Sequence, residues 1–375
     1  QLKSWFLSQI TMLSSSKADA ETWDAKSLCL LMLAVAVLIP AAPPFLLLWF
    51  IIRLVSIFMP FKLYNYLDEK LYSSYQWTVL FFYEYLAQTK IILYGDSIDD
   101  LFKKKERVLY FSNHQSSVDW IITDMLIARQ GGIGRSRYLL KNELKYIPYY
   151  GYYFYQHGCI FVNRSEFKAD QAVRSLISLE ANNTNSWVII FPEGTRINYD
   201  KPAVIKKSQE FATSHGLQPL RYHLTPRVKG TYLTLNTLAN YFDAVYDITI
   251  AYEGFTGGKN VPQLFSWFKR RRTLHIHLRR LPMDLVPRRN QEEVASWLHG
   301  VFAEKDRMMS EFNETGRFAG PSKVSRLPLS RLLPATAFIL ALIGNFWLAD
   351  FGLRMYLGTM LLGGIVSIVY AMFVI

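Results

Sequence analysis

Long apolar runs lie at both ends of the chain, and a mixed polar and apolar pattern fills the middle. Residues 28–52 are 25 consecutive uncharged residues, and 332–349 and 355–375 are two further uncharged runs. About 20 apolar residues suffice to cross a bilayer. We therefore predict an N-terminal segment at 1–52 with a membrane anchor at 28–52, and a C-terminal membrane hairpin at 321–375.

Prolines make the topology of the first run ambiguous. Pro40, Pro43 and Pro44 lie inside it, and adjacent prolines break or kink a helix. One kinked span and two short helices that enter and leave the same face both fit this pattern.

The region between the runs alternates β-rich stretches with helical patterns, which predicts an α/β domain at 88–320 after amphipathic linker helices at 53–87. Asn290 followed by Glu293 predicts a helix that reaches Phe312, and Ser165 is the predicted N-cap of a helix to Leu179. The predicted strands are 91–94, 108–111, 138–140, 159–162, 188–191, 245–252 and 274–278.

Composition narrows the class of protein. With 51% hydrophobic and 19% charged residues among 375, the chain is not a disordered protein. Its 42 basic and 30 acidic residues leave a net charge of +12, which favours anionic partners. Because apolar runs flank the domain, we expect lipid and phosphorylated substrates, and no nucleic acid. Cys29 and Cys159 are too few for a disulfide framework or a metal cluster.

The first chemical signal is His114 with Asp119, directly after the strand predicted at 108–111. We place His114 in a turn and Asp119 in the first helical turn, with Ser116 or Ser117 as N-cap. The carboxylate then holds the imidazole in the tautomer whose other nitrogen is a base. By itself, a surface histidine near a capping aspartate explains the pair equally well.

Further signals follow other predicted strands. Glu193, Gly194 and Arg196 come after 188–191, where α/β folds build sites, and a guanidinium matches the shape of a phosphate. Arg164 ends the segment that begins at Gly158. The pattern of a fourth segment, 224–231, by itself predicts a loop.

Together the four segments resemble the glycerolipid acyltransferase family related to lysophosphatidic acid acyltransferases. The His-x4-Asp block and the Phe-Pro-Glu-Gly-Thr-Arg block are specific as a pair. The resemblance implies an α/β acyltransferase domain with a mixed central sheet flanked by helices, and a catalytic dyad of His114 and Asp119. It also implies a substrate-binding set for the glycerol phosphate acceptor: Lys141, Gly158, Phe161, Arg164, Glu193, Gly194, Thr195 and Arg196.

The reaction that this resemblance implies moves an acyl chain from acyl-CoA to the sn-2 hydroxyl of lysophosphatidic acid, giving phosphatidic acid. A thioester is already activated, so the reaction needs a base and phosphate ligands but no metal and no cofactor. We expect backbone amides near the helix start to bind the oxyanion.

Two alternatives stay open. Pro226 is followed by Arg227 and Lys229 where many relatives have an apolar run, which resembles the longer eukaryotic branch that includes lysocardiolipin acyltransferases. Reacylation of lysocardiolipin or another lysophospholipid is therefore one alternative. A non-catalytic, lipid-binding membrane scaffold is the other.

Basic flanks of the apolar runs predict that the domain faces the cytosol. The resemblance implies a location at the endoplasmic reticulum or the mitochondrial outer membrane. Seven aromatics within 146–155 predict either a membrane-interface segment or a tyrosine-rich core loop. The basic and aromatic residues at 265–272 predict a membrane-facing patch. The basic flanking residues are Arg53, Lys62, Lys323, Arg326 and Arg331.

Overall fold

The computed structural model describes residues 22–147, 150–162, 169–181, 185–254 and 261–348, together with residue 358. The helices are α1 (Ala25–Val55), α2 (Phe61–Leu80), α3 (Ile98–Lys103), α4 (Asp119–Gln130), α5 (Tyr150–Gln156), α6 (Ala169–Ala181), α7 (Pro202–Ser214), α8 (Val228–Thr237), α9 (Gln291–Thr315) and α10 (Leu329–Leu348). The strands are β1 (Lys90–Tyr94), β2 (Val108–Ser112), β3 (Ser136–Lys141), β4 (Ile160–Val162), β5 (Trp187–Ile190), β6 (Ala244–Tyr252), β7 (Thr273–Pro282) and β8 (Ser322–Ser325).

The eight strands form one mixed sheet in the order β4-β3-β5-β2-β6-β7-β1-β8. The first five run parallel, β7 is antiparallel to β6, and β1 is parallel to β7. The carboxyl ends of β4, β3, β5 and β2 therefore lie at the same edge of the sheet. The prediction of a mixed central sheet flanked by helices is confirmed.

Helices cover both faces of the sheet, so β2 is buried throughout. Val108 and Tyr110 face the cluster that contains the apolar side of α4, while Leu109 and Phe111 face α6, α8 and α9. This alternation follows from the two-residue period of a strand. It fixes β2, and with it the turn that follows β2, between two packed layers.

The N-terminal apolar run forms one continuous helix, α1, which contains all three prolines. Pro44 has no N–H to donate to the carbonyl of Pro40 four residues earlier. The indole Nε1 of Trp347, on α10, donates to that carbonyl at 3.3 Å. Of the two topologies left open, the structure therefore has a single helix, and α10 packs beside it.

Among the described residues, two helices are long and apolar enough to cross a membrane: α1 with the turn that extends it to Phe58, and α10. The second arm of the predicted hairpin, 355–375, lies outside the described residues apart from residue 358, and so does Ser165. β8, which pairs antiparallel with β1, was not predicted. The predicted cap of α9 is present, since Asn290 Oδ1 accepts from the Glu293 amide at 2.8 Å.

The aromatic residues of α5 pack against α1 and α2. The ring of Tyr153 is buried, with centroids 5.1 Å from Trp49 and 5.5 Å from Phe45. For Tyr153, the burial agrees with the second of the two alternatives predicted for 146–155, in which the tyrosines lie in the core.

The predicted patch at 265–272 is wrong in its aromatic part. Trp267 and Phe268 are buried, and Arg272 donates to the carbonyl of Ser266 at 2.6 Å. Arg270 and Arg271 are exposed. The rings of Trp267 and Phe268 pack into the hydrophobic core because the segment between β6 and β7 covers the sheet.

Candidate active site

His114 and Asp119 contact each other at the turn between β2 and α4. His114 Nδ1 lies 2.8 Å from Asp119 Oδ2, with the histidine side chain 24% exposed and the aspartate 1% exposed. The turn between them brings a residue before the helix onto the first residue of the helix. The imidazole is thus partly exposed while its partner is buried.

Asp119 is surrounded by hydrogen-bond donors. Its Oδ2 also accepts from the amides of Gln115 at 2.7 Å and Ser116 at 2.9 Å, and its Oδ1 accepts from the Tyr252 hydroxyl at 2.6 Å. A carboxylate that accepts from these three groups accepts from His114 as well, so Nδ1 carries the proton and Nε2 is left with its lone pair.

The prediction that Ser116 or Ser117 caps α4 was wrong. Val118 is the N-cap residue, and no side chain caps the helix through it. Ser116 Oγ accepts from the Val118 amide at 3.2 Å, and both serines also bind a segment between β6 and β7. Ser116 Oγ donates to the carbonyl of Pro262, and Ser117 Oγ accepts from the Leu264 amide at 2.9 Å.

Phe191 and Ile197 hold His114 from the neighbouring strand end. The ring of Phe191 stacks on the imidazole, with centroids 4.5 Å apart and planes 27° apart. The Ile197 amide donates to the His114 carbonyl at 3.0 Å. The segment after β5 therefore fixes both the ring and the backbone of the histidine.

Glu193 joins three segments from within the core. Its Oε1 accepts from the His114 amide at 2.7 Å and its Oε2 from the Leu224 amide at 2.9 Å. Burial raises the pKa of Glu193 to about 8, against the opposing effect of these two N–H donors. With 1% exposure, this side chain ties the β5 turn to the histidine turn.

Gly194 and Arg196 complete the turn after β5. Gly194 has φ +70°, a left-handed conformation that favours glycine. Arg196 Nη1 donates to Gln263 Oε1 at 3.1 Å, and burial lowers the pKa of Arg196 while nearby Asp119 opposes that effect. Thr195 lies between them, partly buried. The Glu-Gly-Thr-Arg block predicted from the sequence thus places one cation, the Arg196 guanidinium, beside the turn that carries His114.

Gly158 precedes β4 at a tight contact. It has φ +88°, and a Cβ there would lie 3.0 Å from Arg137 Nε. Arg137 Nη1 donates to His157 Nε2 at 2.8 Å, and His157 Nδ1 donates to Asp68 Oδ2 at 2.6 Å. Burial is the main cause that lowers the pKa of His157, which keeps it neutral. The turn into β4 is therefore tied to α2.

The other predicted acceptor residues differ in their surroundings. Phe161 is buried among Leu140, Tyr146 and neighbouring rings. Lys141 is exposed at the end of β3, in register with Val162 at the end of β4. Arg164 lies outside the described residues. Their roles in substrate binding stay predictions.

Four backbone amides near the helix start, where the sequence analysis placed the oxyanion donors, are engaged within the protein. The amides of Gln115 and Ser116 bind Asp119, that of Ser117 donates to Gln263 Oε1 at 3.0 Å, and that of Val118 donates to Ser116 Oγ at 3.2 Å. Asp119 accepts from two of these four donors.

Tyr252 and Gln263 are the site residues that motif analysis missed. They lie 133 and 144 positions after Asp119, so no local spacing connects them with it. The pairing of β6 with β2 brings Tyr252 to the dyad. Its pKa lies well above the usual range because of burial and the nearby Asp119, so the phenol keeps its proton and donates.

Fold and site together define an α/β acyltransferase. The protein-family model described as Acyltransferase matches residues 96–234, and the model described as Acyltransferase C-terminus matches residues 266–340. These ranges contain His114, Asp119 and the turn after β5.

Individual relatives narrow the class. The chain is 40% identical over 338 residues to 1-acyl-sn-glycerol-3-phosphate acyltransferase epsilon of Mus musculus, covering 87% of this chain and 91% of that protein. It is 31% identical over 273 residues to the gamma form of Homo sapiens, covering 72% and 71%. A probable acyltransferase 5 of the same type from Arabidopsis thaliana is 33% identical over 243 residues, covering 64% and 61%. The chain belongs to the 1-acyl-sn-glycerol-3-phosphate acyltransferase family.

Proposed function

We propose that this protein transfers a fatty acyl chain from acyl-CoA to the sn-2 hydroxyl of lysophosphatidic acid, giving phosphatidic acid. The observation that carries the proposal is the 2.8 Å contact of His114 Nδ1 with a buried, fourfold-bonded Asp119, next to the cation of Arg196. The relatives named for this acceptor support the choice of substrate.

His114 acts as the general base. Its Nε2 takes the proton of the acceptor hydroxyl as that oxygen attacks the thioester carbonyl. The tetrahedral intermediate then collapses, the C–S bond breaks, and the CoA sulfur leaves as thiolate or takes the proton from the imidazolium. Asp119 stabilises the imidazolium, and Tyr252 keeps Asp119 in place. Acyl transfer by this route uses no metal and no cofactor.

Arg196 is the described residue best placed to bind the acceptor phosphate. It lies on the turn whose Phe191 stacks on His114, so a bound phosphate would hold the acceptor near the base. Lys141 and Arg164 are further ligands in this proposal, since Lys141 ends β3 and Arg164 follows β4 in the sequence, and these two strands end at the same edge of the sheet.

α1 and α10 anchor the protein in a membrane, with the catalytic domain on the cytosolic side. Exposed apolar side chains along α1, such as Met32 and Ile39 at 63% each, support the anchor. The basic flanks support the orientation. The endoplasmic reticulum and the mitochondrial outer membrane both fit this arrangement.

A panel of acceptors tests the proposal. Purified, detergent-solubilised protein would receive oleoyl-CoA with lysophosphatidic acid, lysocardiolipin, other lysophospholipids or glycerol 3-phosphate. We expect the largest kcat/KM with lysophosphatidic acid. Preference for another lysophospholipid would contradict the choice of acceptor, and folded protein without transfer to any acceptor would support the scaffold alternative.

A larger anionic acceptor, such as lysocardiolipin, is the second candidate. Arg227 and Lys229 are exposed at the start of α8, and the Arg227 amide donates to the Pro192 carbonyl at 2.7 Å. Two exposed cations therefore lie beside the turn that carries Arg196. Selective loss of lysocardiolipin transfer in Arg227→Ala would support this second acceptor.

A further inference from the structure

Gln263 connects the histidine turn with Arg196, although it lies between the two regions matched by family models. Its Oε1 accepts from Arg196 Nη1 at 3.1 Å and from the Ser117 amide at 3.0 Å. Within the described part of the chain, this carbonyl is the hydrogen-bond partner of the Arg196 guanidinium. The uncharged Oε1 of Gln263 thus orients the Arg196 guanidinium.

The Gln263 side chain is itself held in place. Its Nε2 donates to the Val261 carbonyl at 3.0 Å, and its backbone amide donates to Ser266 Oγ at 2.8 Å. One residue later, the Leu264 amide donates to Ser117 Oγ at 2.9 Å. These bonds fix which end of the side-chain amide faces Arg196, so the carbonyl is presented and not the NH2 group.

The chemistry of the pair suits a phosphate ligand. A guanidinium has five N–H groups, and a phosphate uses two of them in a bidentate pair. Gln263 takes one and leaves the others available. Because its carbonyl carries no charge, it orients Arg196 without neutralising it, which a carboxylate at the same position would do.

We infer that Gln263 is a positioning residue for the acceptor phosphate and acts by holding the Arg196 guanidinium against the histidine turn. This inference rests on the proposed function, in which Arg196 binds the phosphate. Gln263 therefore acts through Arg196, in contrast to a residue that only supports the loop.

Substitutions at Gln263 test the inference through kinetics. Gln263→Ala should raise KM for lysophosphatidic acid about tenfold, the usual size of losing a hydrogen bond to a charged group. KM for oleoyl-CoA should change less than about twofold, since Gln263 does not face the donor in this account. Gln263→Glu should raise KM for lysophosphatidic acid further, because its carboxylate competes with the phosphate.

A double-mutant cycle separates the two explanations. If Gln263 acts through Arg196, Gln263→Ala should change KM for lysophosphatidic acid less than about twofold when Arg196 is already alanine. The matched control is Gln209→Ala on α7, whose side chain donates to the Leu220 carbonyl at 3.0 Å, away from the site. It should leave all kinetic constants unchanged.

Several outcomes would overturn the inference. Equal effects of Gln263→Ala in both backgrounds would show a structural role, and an unchanged KM would show none. A higher kcat with unchanged KM would indicate that Gln263 blocks the Ser117 amide. Failure of the proposed function is distinguishable, because wild-type protein would then not transfer acyl groups to lysophosphatidic acid at all.

Discussion

Replacing Asp119 by asparagine removes a charge while preserving the surrounding geometry. Three donors converge on Oδ2, from His114 and the amides of Gln115 and Ser116. The amide oxygen of asparagine must occupy this position, since its NH2 group would face three donors. The NH2 group then meets the Tyr252 hydroxyl, which is able to rotate and accept. His114 therefore keeps its proton on Nδ1 in the variant.

The loss in Asp119→Asn is then electrostatic. Unit charges 2.8 Å apart attract by about 6 kcal/mol at an effective dielectric constant of about 20. Partial exposure of His114 reduces this attraction, so about 3–4 kcal/mol of stabilisation of the imidazolium in the transition state is lost, or roughly 10²- to 10³-fold in kcat. Asp119→Ala should cost more, because the turn loses its hydrogen-bond acceptor.

Steady-state kinetics with oleoyl-CoA and lysophosphatidic acid would measure this effect. We expect KM for lysophosphatidic acid to change less than about threefold, since Asp119 does not contact the acceptor. Melting temperatures of each variant serve as the folding control. A folded Asp119→Asn variant with kcat within about threefold of wild type would refute the role of the carboxylate.

Three further predictions concern Tyr252 and two buried charged residues of α4, Asp124 and Arg129. Tyr252→Phe removes one donor to Asp119 and should lower kcat about threefold to tenfold without unfolding the protein, as kinetics and a melting curve would show. Burial raises the pKa of Asp124 to about 8, so Asp124 should contribute a loss of about 1.4 kcal/mol of stability per pH unit between about pH 5 and pH 7. In denaturant titrations the stability of Asp124→Asn should therefore fall less steeply than that of the wild type, by about that amount per pH unit, and parallel curves would contradict the shift. Arg129→Met leaves Glu84 buried without its cation and should cost about 3–5 kcal/mol by the same titration, with partial recovery when Glu84 is leucine as well.

The turns that carry His114 and Glu193 lie close together because of where β2 and β5 end. Because β2 and β5 are neighbouring parallel strands, the segments that begin at His114 and at Phe191 had to meet at one edge of the sheet. The sequence predicted both strands and the motifs that follow them, and the structure shows that the two strands are neighbours.

The contacts of Tyr252 and Gln263 could not be predicted in the same way. Both residues depend on the order of strands in the sheet, since β6 lies beside β2 only in the folded topology. The use of the amides of Gln115 and Ser116 was hidden for a different reason. Spacing alone does not reveal that Asp119 turns back to accept from them.

β8 and α1 show two other limits of sequence patterns. β8 is four residues long with three exposed positions, so it carries no apolar alternation, and its pairing with β1 decides its structure. α1 contains three prolines that argue for a break. The helix continues because packing against α2 and α10 outweighs the lost hydrogen bonds, one of which Trp347 replaces.

The most direct test of the central claim is the rate of phosphatidic acid formation by wild type and His114→Ala, measured side by side. Both proteins would receive saturating oleoyl-CoA and lysophosphatidic acid, the product would be identified by mass, and melting curves would establish that both are folded. We predict phosphatidic acid from the wild type and a rate at least about 10³-fold lower from the variant. A folded His114→Ala variant that forms phosphatidic acid at the wild-type rate would contradict the account.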